Sequence, residues 1–221
     1  MIGTLGADGW SKLWQPGADW TSADVTKGLN NFAKALSYTN SDASTLSDWQ
    51  PAAKLMTDGN AAFNIMGDWA YGYFANAAPN GLALKPHTDF DWTVAPGTQG
   101  IFNFLSDSFV LPANAKHPDA TMAWLTVAAS KEGQEAFNPL KGSICARTDC
   151  STTIFSEYSQ GAAKDWASDT VVGSFYHGVV ANNAWKDKIM TAMGLFTADP
   201  TKVSDFQTAL AAACKSDGAC K

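Results

Sequence analysis

The stretch Phe63-Asn64-Ile65-Met66-Gly67-Asp68-Trp69-Ala70 changes its pattern at the middle. Residues 61–66 alternate weakly, which predicts a strand. Gly67-Asp68-Trp69 then opens a short helix running through Phe74. A strand that leads directly into a helix is an α/β signature. Residues at the end of such a strand point into the crevice where α/β proteins bind ligands. Asp68 and Trp69 hold that position.

Asp58-Gly59-Asn60 is a turn just upstream, and 46–57 reads as a helix with Pro51 tolerable only in its first turn. Thr21-Ser22-Ala23-Asp24 supplies cap-type residues to a helix whose Val25, Leu29, Phe32 and Leu36 recur at helical spacing. Downstream, 91–95 reads as a strand stopped by Pro96-Gly97, and 101–111 as one or two strands. Past Pro112 the pattern is helical at 117–129 and 130–137, irregular over 138–148, and helical again at about 151–168, 182–196 and 199–215. Strands alternating with helices argue α/β. The strands are few and the helices many, so the chain reads as helix-rich and incomplete for a doubly wound fold. Met1-Ile2-Gly3-Thr4 has neither a basic nor an apolar signal-peptide region, and Leu5 to Trp14 reads as the tail of a helix or loop already under way.

The 221 residues are 46% hydrophobic and 16% charged, a balance that excludes a disordered chain. A net charge of −6 without a basic patch argues against nucleic acid and anionic membranes as partners. No run of about 18 apolar residues is present to span a bilayer. Nine tryptophans are an unusual load. Most are expected in the core, but in a surface cleft an indole serves as a stacking platform.

The four cysteines fall as two close pairs, Cys145 with Cys150 and Cys214 with Cys220. Four cysteines allow three connectivities. Two local disulfides are the economical reading and imply an oxidising compartment. A zinc site is the rival, although neither pair has CxxC spacing and no histidine lies close by.

No P-loop, dinucleotide fingerprint, serine-nucleophile elbow or HExxH motif is present. His87, His117 and His177 are widely spread, so no metal is expected, and no cofactor or catalytic residue either. His87 reads as solvated in a polar loop and His117 as a surface cap before Pro118. Ser106-Asp107-Ser108 interrupts the apolar run from Phe102 to Leu111. A carboxylate there needs donors or a ligand, unless it caps a helix or turn. Lys141 lies in the irregular segment Asn138-Pro139-Leu140-Lys141-Gly142-Ser143, and His177 in Phe175-Tyr176-His177-Gly178. Trp, Asp, Lys and His together suit a neutral polyol. The C–H face of a pyranose stacks on an indole, a carboxylate accepts from two adjacent hydroxyls, and Lys or imidazole completes the pairing.

Phe63-Asn64-Ile65-Met66-Gly67-Asp68-Trp69-Ala70 resembles the signature of sugar-binding proteins of bacterial ABC importers. Leu105-Ser106-Asp107-Ser108-Phe109-Val110-Leu111-Pro112 and the segment from Ser130-Lys131-Glu132-Gly133 through Gln134-Glu135-Ala136-Phe137 to Ile144 fit the same family in the same order, as does the helix-rich tail. The similarity covers nearly the whole chain and is greatest to the glucose/mannose-binding branch of the family 1 extracellular solute-binding proteins. It implies a periplasmic-binding-protein-like type II α/β fold, with a sugar clamped between two hinged lobes. Trp49 and Trp69 would be stacking platforms, and Asp107, Lys141 and His177 would hydrogen-bond the sugar. Residues 1–103 would be part of lobe two, 104–143 a lobe-one segment after a crossing near 100–106, and 144–221 a return to lobe two after a crossing near 141–148.

The implied partners are a monosaccharide (glucose, mannose or galactose), the ABC permease subunits and a missing N-terminal portion of the same protein, since family members are much longer. The implied location is periplasmic or extracellular, with lipid anchoring through that missing N-terminus. The residues alone also admit a glycoside hydrolase, with two carboxylates among Asp68, Asp89, Asp91 and Asp107 about 5–10 Å apart, although no paired-carboxylate motif stands out. A lectin-like carbohydrate-binding module is the third reading.

Overall fold

Helix α2 (Ala23–Leu36) begins where its cap residues predict: the Ser22 hydroxyl accepts from the Val25 amide, 3.4 Å away. Side-chain oxygens at helix starts satisfy amides that lack an intrahelical partner. The computed structural model describes residues 1–220. Its helices are α1 (Ile2–Lys12), α2, α3 (Trp49–Thr57), α4 (Trp69–Ala75), α5 (Pro118–Ala129), α6 (Lys131–Lys141), α7 (Glu157–Ser168), α8 (Asn183–Ala198) and α9 (Val203–Asp217). Its strands are β1 (Ile101–Phe104) and β2 (Thr170–Gly173). Among the described residues, no helix is long and apolar enough to cross a membrane.

β1 and β2 pair in parallel, from Ile101 opposite Thr170 to Phe104 opposite Gly173. Parallel strands need a long crossover, and here most of that crossover belongs to a second compact unit. Unit 1 holds residues 1–45, 94–105 and 169 onward, and unit 2 holds residues 46–93 and 106–168. Residues 46–93 thus associate with 106–168 in unit 2, while β1 pairs with β2, which also meets α1 in unit 1.

Unit 1 is built on a tryptophan-rich core. Trp10, Trp20 and Trp185 are buried with Val25, Leu29, Ile189 and Phe206. Trp14 stacks on Phe175 at 5.3 Å and lies 5.0–5.2 Å from Trp10, Trp20 and Trp185. Trp10 donates to the Gly173 carbonyl and Trp20 to that of Leu13, each at 3.0 Å. Here the expectation of core tryptophans holds. The Cys214–Cys220 disulfide closes the end of α9, and the Gly17 amide donates to the adjacent Ala219 carbonyl at 2.9 Å.

Unit 2 has a smaller core of Ala53, Ala70, Phe74 and Phe90, with Trp49, Met66, Tyr71, Tyr73 and Trp92 packed around it. Tyr71 stacks on Tyr158 of α7 at 5.2 Å. The Cys145–Cys150 disulfide lies in the irregular stretch after α6. Both cysteine pairs are thus the local ones.

Several expected strands are absent. Residues 61–66 form no ladder, and their alternation runs outward: Phe63 and Ile65 are 86% and 85% exposed while Met66 packs on the core. Residues 91–95 are irregular, and the strand expected over 101–111 ends at Phe104. β2 lies between the helices expected over 151–168 and 182–196, where the sequence predicts no strand. The expected helix 151–168 is a 3₁₀ turn at Thr152–Ile154 followed by α7, and the last helix starts at Val203, after Pro200. The first residues are a true helix, broken at Gly6, whose φ is 68°. His117 is the N-cap of α5, as expected, although its side chain makes no cap bond.

His87 is exposed but not simply solvated. Its Nδ1 lies 3.3 Å from Asp91 Oδ1 and its Nε2 3.2 Å from Glu157 Oε2, so both ring nitrogens face carboxylates. Only the imidazolium carries an N–H on each nitrogen. The Glu157 bond first, and then Asp91, raises the His87 pKa above its ordinary value. This contribution to stability is complete below the unfolded value of about 6.5 and is lost as pH rises through the folded one. His87→Gln should therefore flatten the fall of melting temperature as pH rises above about 6.5. An unchanged profile would remove this clasp.

The core of unit 1 yields a second expectation. Phe196 is 2% exposed and stacks on Phe206 at 4.5 Å. Phe196→Ala should cost about 3–5 kcal/mol in denaturant unfolding, and a loss under about 1 kcal/mol would contradict this packing.

Candidate functional site

The site forms in unit 2, where the start of α4 meets the end of α6. α6 ends at Gly142 with φ 84°, a left-handed conformation that glycine adopts without strain. Its Cα comes so close to α4 that a Cβ there would lie 3.1 Å from the Gly72 amide nitrogen and 3.3 Å from Trp69 Cα. Gly72 answers from the other side: a Cβ on it would lie 3.1 Å from the Leu140 carbonyl and 3.3 Å from that of Lys141. The Asn76 side chain donates to the Leu140 carbonyl at 2.8 Å and fixes the register. Lys141 is thereby delivered to the first turn of α4.

Trp69 opens α4, with Asp68 as the preceding N-cap. The Trp69 ring folds back over Gly67, where any Cβ would collide with the indole. Trp49, the first residue of α3, meets it edge-on at 6.5 Å, and Asp48 accepts from the Trp49 amide at 2.7 Å. Trp49 also packs edge-on to Tyr73 at 5.2 Å. The Lys141 ammonium lies 6.0 Å from the centre of the Trp69 ring, the outer limit of a cation–π contact. The same nitrogen pairs with Asp107 Oδ2 at 2.8 Å.

The structure thus brings together Trp49, Trp69, Asp107 and Lys141. The fifth residue, His177, belongs to unit 1, where its Nδ1 lies 3.0 Å from the hydroxyl of the buried Ser174. Asp68, placed at the expected strand end and among the hydrolase carboxylates, lies beside Lys141 and Asp107. Burial raises its pKa, Lys141 opposes that rise, and Asp107 adds to it. Tyr158 is pushed up to about 12, chiefly by burial and then by the charges of Asp68 and Asp165. Asp68 is therefore electrostatically part of the group. Gly67, two residues before Trp69, carries a local signal, whereas the contact of Gly142 with α4 is tertiary.

The arrangement can stack a flat apolar face on an indole and hydrogen-bond a polar rim through a carboxylate and an ammonium. Among the described residues, no cluster of three or more His, Cys, Asp or Glu could hold a metal ion. The zinc alternative for the cysteines is excluded more directly, because all four are in disulfides.

Residues 1–135 match the family described as Bacterial extracellular solute-binding protein. Over 187 residues the chain is 31% identical to an uncharacterized ABC transporter extracellular-binding protein of Pyrococcus horikoshii, covering 84% of this chain and 41% of that one. It is 32% identical to a xylose/arabinose-binding protein of Haloferax volcanii, over 80% of this chain and 38% of that one. It is 36% identical to a "Probable sugar-binding periplasmic protein" of Brucella suis, over 64% of this chain and 34% of that one. The chain therefore spans about two fifths of the length of these relatives or less. With its match running over more than half its residues, the chain belongs to the bacterial extracellular solute-binding protein family, whose members bind solutes and are not enzymes.

Proposed function

We propose that this chain is the C-terminal portion of the substrate-binding component of an ABC sugar importer, taking glucose or a related hexose such as mannose or galactose. The observation that carries this reading is the Lys141–Asp107 pair set beside the Trp69 ring. A pyranose has an apolar C–H face and a rim of hydroxyls that donate and accept. Trp69 offers its negative π face to the first. Asp107 accepts from neighbouring hydroxyls and Lys141 donates, and such charge-assisted bonds are about twice as strong as neutral ones. A pair this exposed contributes only about 0–1 kcal/mol to folding, so its value lies in recognition. Trp49 is the second aromatic wall. His177, oriented by Ser174, is a further hydrogen-bonding partner of the sugar. The names of the Haloferax and Brucella relatives support a sugar as the solute.

In this reading the compact units are parts of two lobes, each completed by an N-terminal portion outside these residues. The greater length of the relatives supports that portion. Sugar favours the closed state, which docks on the permease subunits; it can do so only by binding that state more tightly than the open one. The protein works in the periplasm or outside the cell, where disulfides persist, with a lipid anchor on the N-terminal portion.

Calorimetric titration of the longer protein with glucose, mannose, galactose and xylose tests this. Trp69→Ala should lose on the order of 1–3 kcal/mol of binding, by analogy with stacking of other flat ligands, with little change in melting temperature. Were Trp69 a core residue, the same change would cost about 3–5 kcal/mol of stability and leave affinity intact. That outcome, or no binding of any of these sugars, would overturn the proposal. The 221-residue chain alone should bind hexose weakly or not at all, and sub-micromolar binding by it would contradict the reading that it is a portion.

A further inference from the structure

α6 carries Lys141 as its last residue, and the chain beyond Gly142 returns to the middle of the same helix. The Ala146 amide donates to Gln134 Oε1 at 3.2 Å, and the Ser151 amide donates to Glu135 Oε1 at 2.7 Å. The Arg147 guanidinium donates to the Ala129 carbonyl at the end of α5, at 3.3 Å, and makes a two-pronged pair with Asp149. The Cys145–Cys150 disulfide closes this returning loop.

A relay of hydrogen bonds joins the loop to the lysine. Gln134 Oε1, which takes the Ala146 amide, also accepts from the Asn138 side chain at 2.8 Å. The Gln134 side-chain nitrogen donates to the Ala128 carbonyl at 2.8 Å. Asn138 is buried, so its polar groups need such partners. Its carbonyl accepts from the amides of Gly142 and Ser143 at 2.9 and 3.2 Å, which closes α6 next to Lys141. Of the ties that shape the loop, the disulfide is the covalent one. The bonds made by the Ala146 amide and by Arg147 are solvent-exposed, and an exposed pair such as Arg147–Asp149 holds little by itself.

The two disulfides differ in access. Cys214 is fully buried in the core of unit 1. Cys145 and Cys150 are half-buried, and residues 146–149 between them are exposed. Exposed disulfides are the labile ones.

We propose that the Cys145–Cys150 disulfide is a redox modification site, and that its reduction by a dithiol releases Lys141 from its place. One thiolate of the dithiol attacks a sulfur of the pair and forms a mixed disulfide, which the second thiol resolves. The dithiol leaves as an internal disulfide, and Cys145 and Cys150 take up two electrons and two protons as free thiols. With the loop opened, the Ala146 tie to Gln134 is lost and the last turn of α6 frays. The consequence for sugar rests on the proposal that Lys141 binds it.

The longer protein, oxidised and after mild treatment with dithiothreitol, supplies the test. Alkylation followed by peptide mass mapping should find Cys145 and Cys150 modified before Cys214 and Cys220. Hydrogen exchange in a peptide covering Gly142 and Ser143 should run about tenfold faster in the reduced protein. Hexose affinity, measured by calorimetry, should fall about fivefold or more, the lower end of ordinary coupling between sites. The double change Cys145→Ser with Cys150→Ser should bind as weakly as the reduced parent and no longer respond to dithiothreitol. Earlier opening of Cys214–Cys220 would overturn the inference. So would unchanged exchange on reduction, or unchanged affinity in a protein that binds sugar, or a double variant whose affinity still falls with dithiothreitol. If the oxidised protein binds no sugar, the proposed function falls, while faster exchange at Gly142 and Ser143 on reduction would still uphold the redox site.

Discussion

The close approach of two glycine backbones is the constraint on which the candidate site depends. Gly72 in α4 and Gly142 at the end of α6 face each other, and a Cβ on either would sit 3.1 Å from a backbone atom of the other helix's segment. A side chain at either position would part the helices by a few tenths of an ångström. Lys141 immediately precedes Gly142, and Trp69 lies one turn before Gly72. The backbone contact therefore fixes where Lys141 and Trp69 start, and the ion pair with Asp107 at 2.8 Å holds the ammonium at the end of its stem. A ligand-binding group held in this way loses little conformational entropy when it engages.

Around that contact the charges are balanced unequally. Asp107 is largely exposed and pairs with Lys141 at 2.8 Å, whereas burial holds the Asp68 pKa above the ordinary range. Lys141 partly offsets the desolvation of Asp68 while it faces Asp107. Stability is concentrated elsewhere. Unit 1 owes its cohesion to the Trp10, Trp14, Trp20 and Trp185 cluster and to the Phe196–Phe206 stack. Unit 2 has a much smaller buried core and leaves α5 uncovered. Three tryptophans of unit 1 are buried in its core, whereas Trp49 and Trp69 of unit 2 are half-buried at the site.

Much of the helical content was legible because its signals are local. Ser22, Ser130 and Asn182 each accept from an amide three residues on, at the starts of α2, α6 and α8. The cysteine pairing was legible from spacing and Asp107 from a polar break in an apolar run, whereas Lys141, expected in an irregular segment, is the last residue of α6. The strands were not legible, because a strand exists only through its partner. Residues 61–66 have the alternation without a ladder, while β2 pairs with β1 from a position about seventy residues away. Gly142 was missed for a related reason: what it makes room for is a tertiary contact with Gly72 and Trp69 that no local pattern records.

Gly142→Ala in the longer protein tests directly whether the α4–α6 contact assembles the proposed sugar-binding surface. The new methyl group meets a left-handed backbone and the α4 main chain, a local strain of about 1–3 kcal/mol. Measured by calorimetry, hexose affinity should fall by about tenfold or more, with far-ultraviolet circular dichroism unchanged. A Gly142→Ala protein that binds hexose as tightly as the parent would contradict the account.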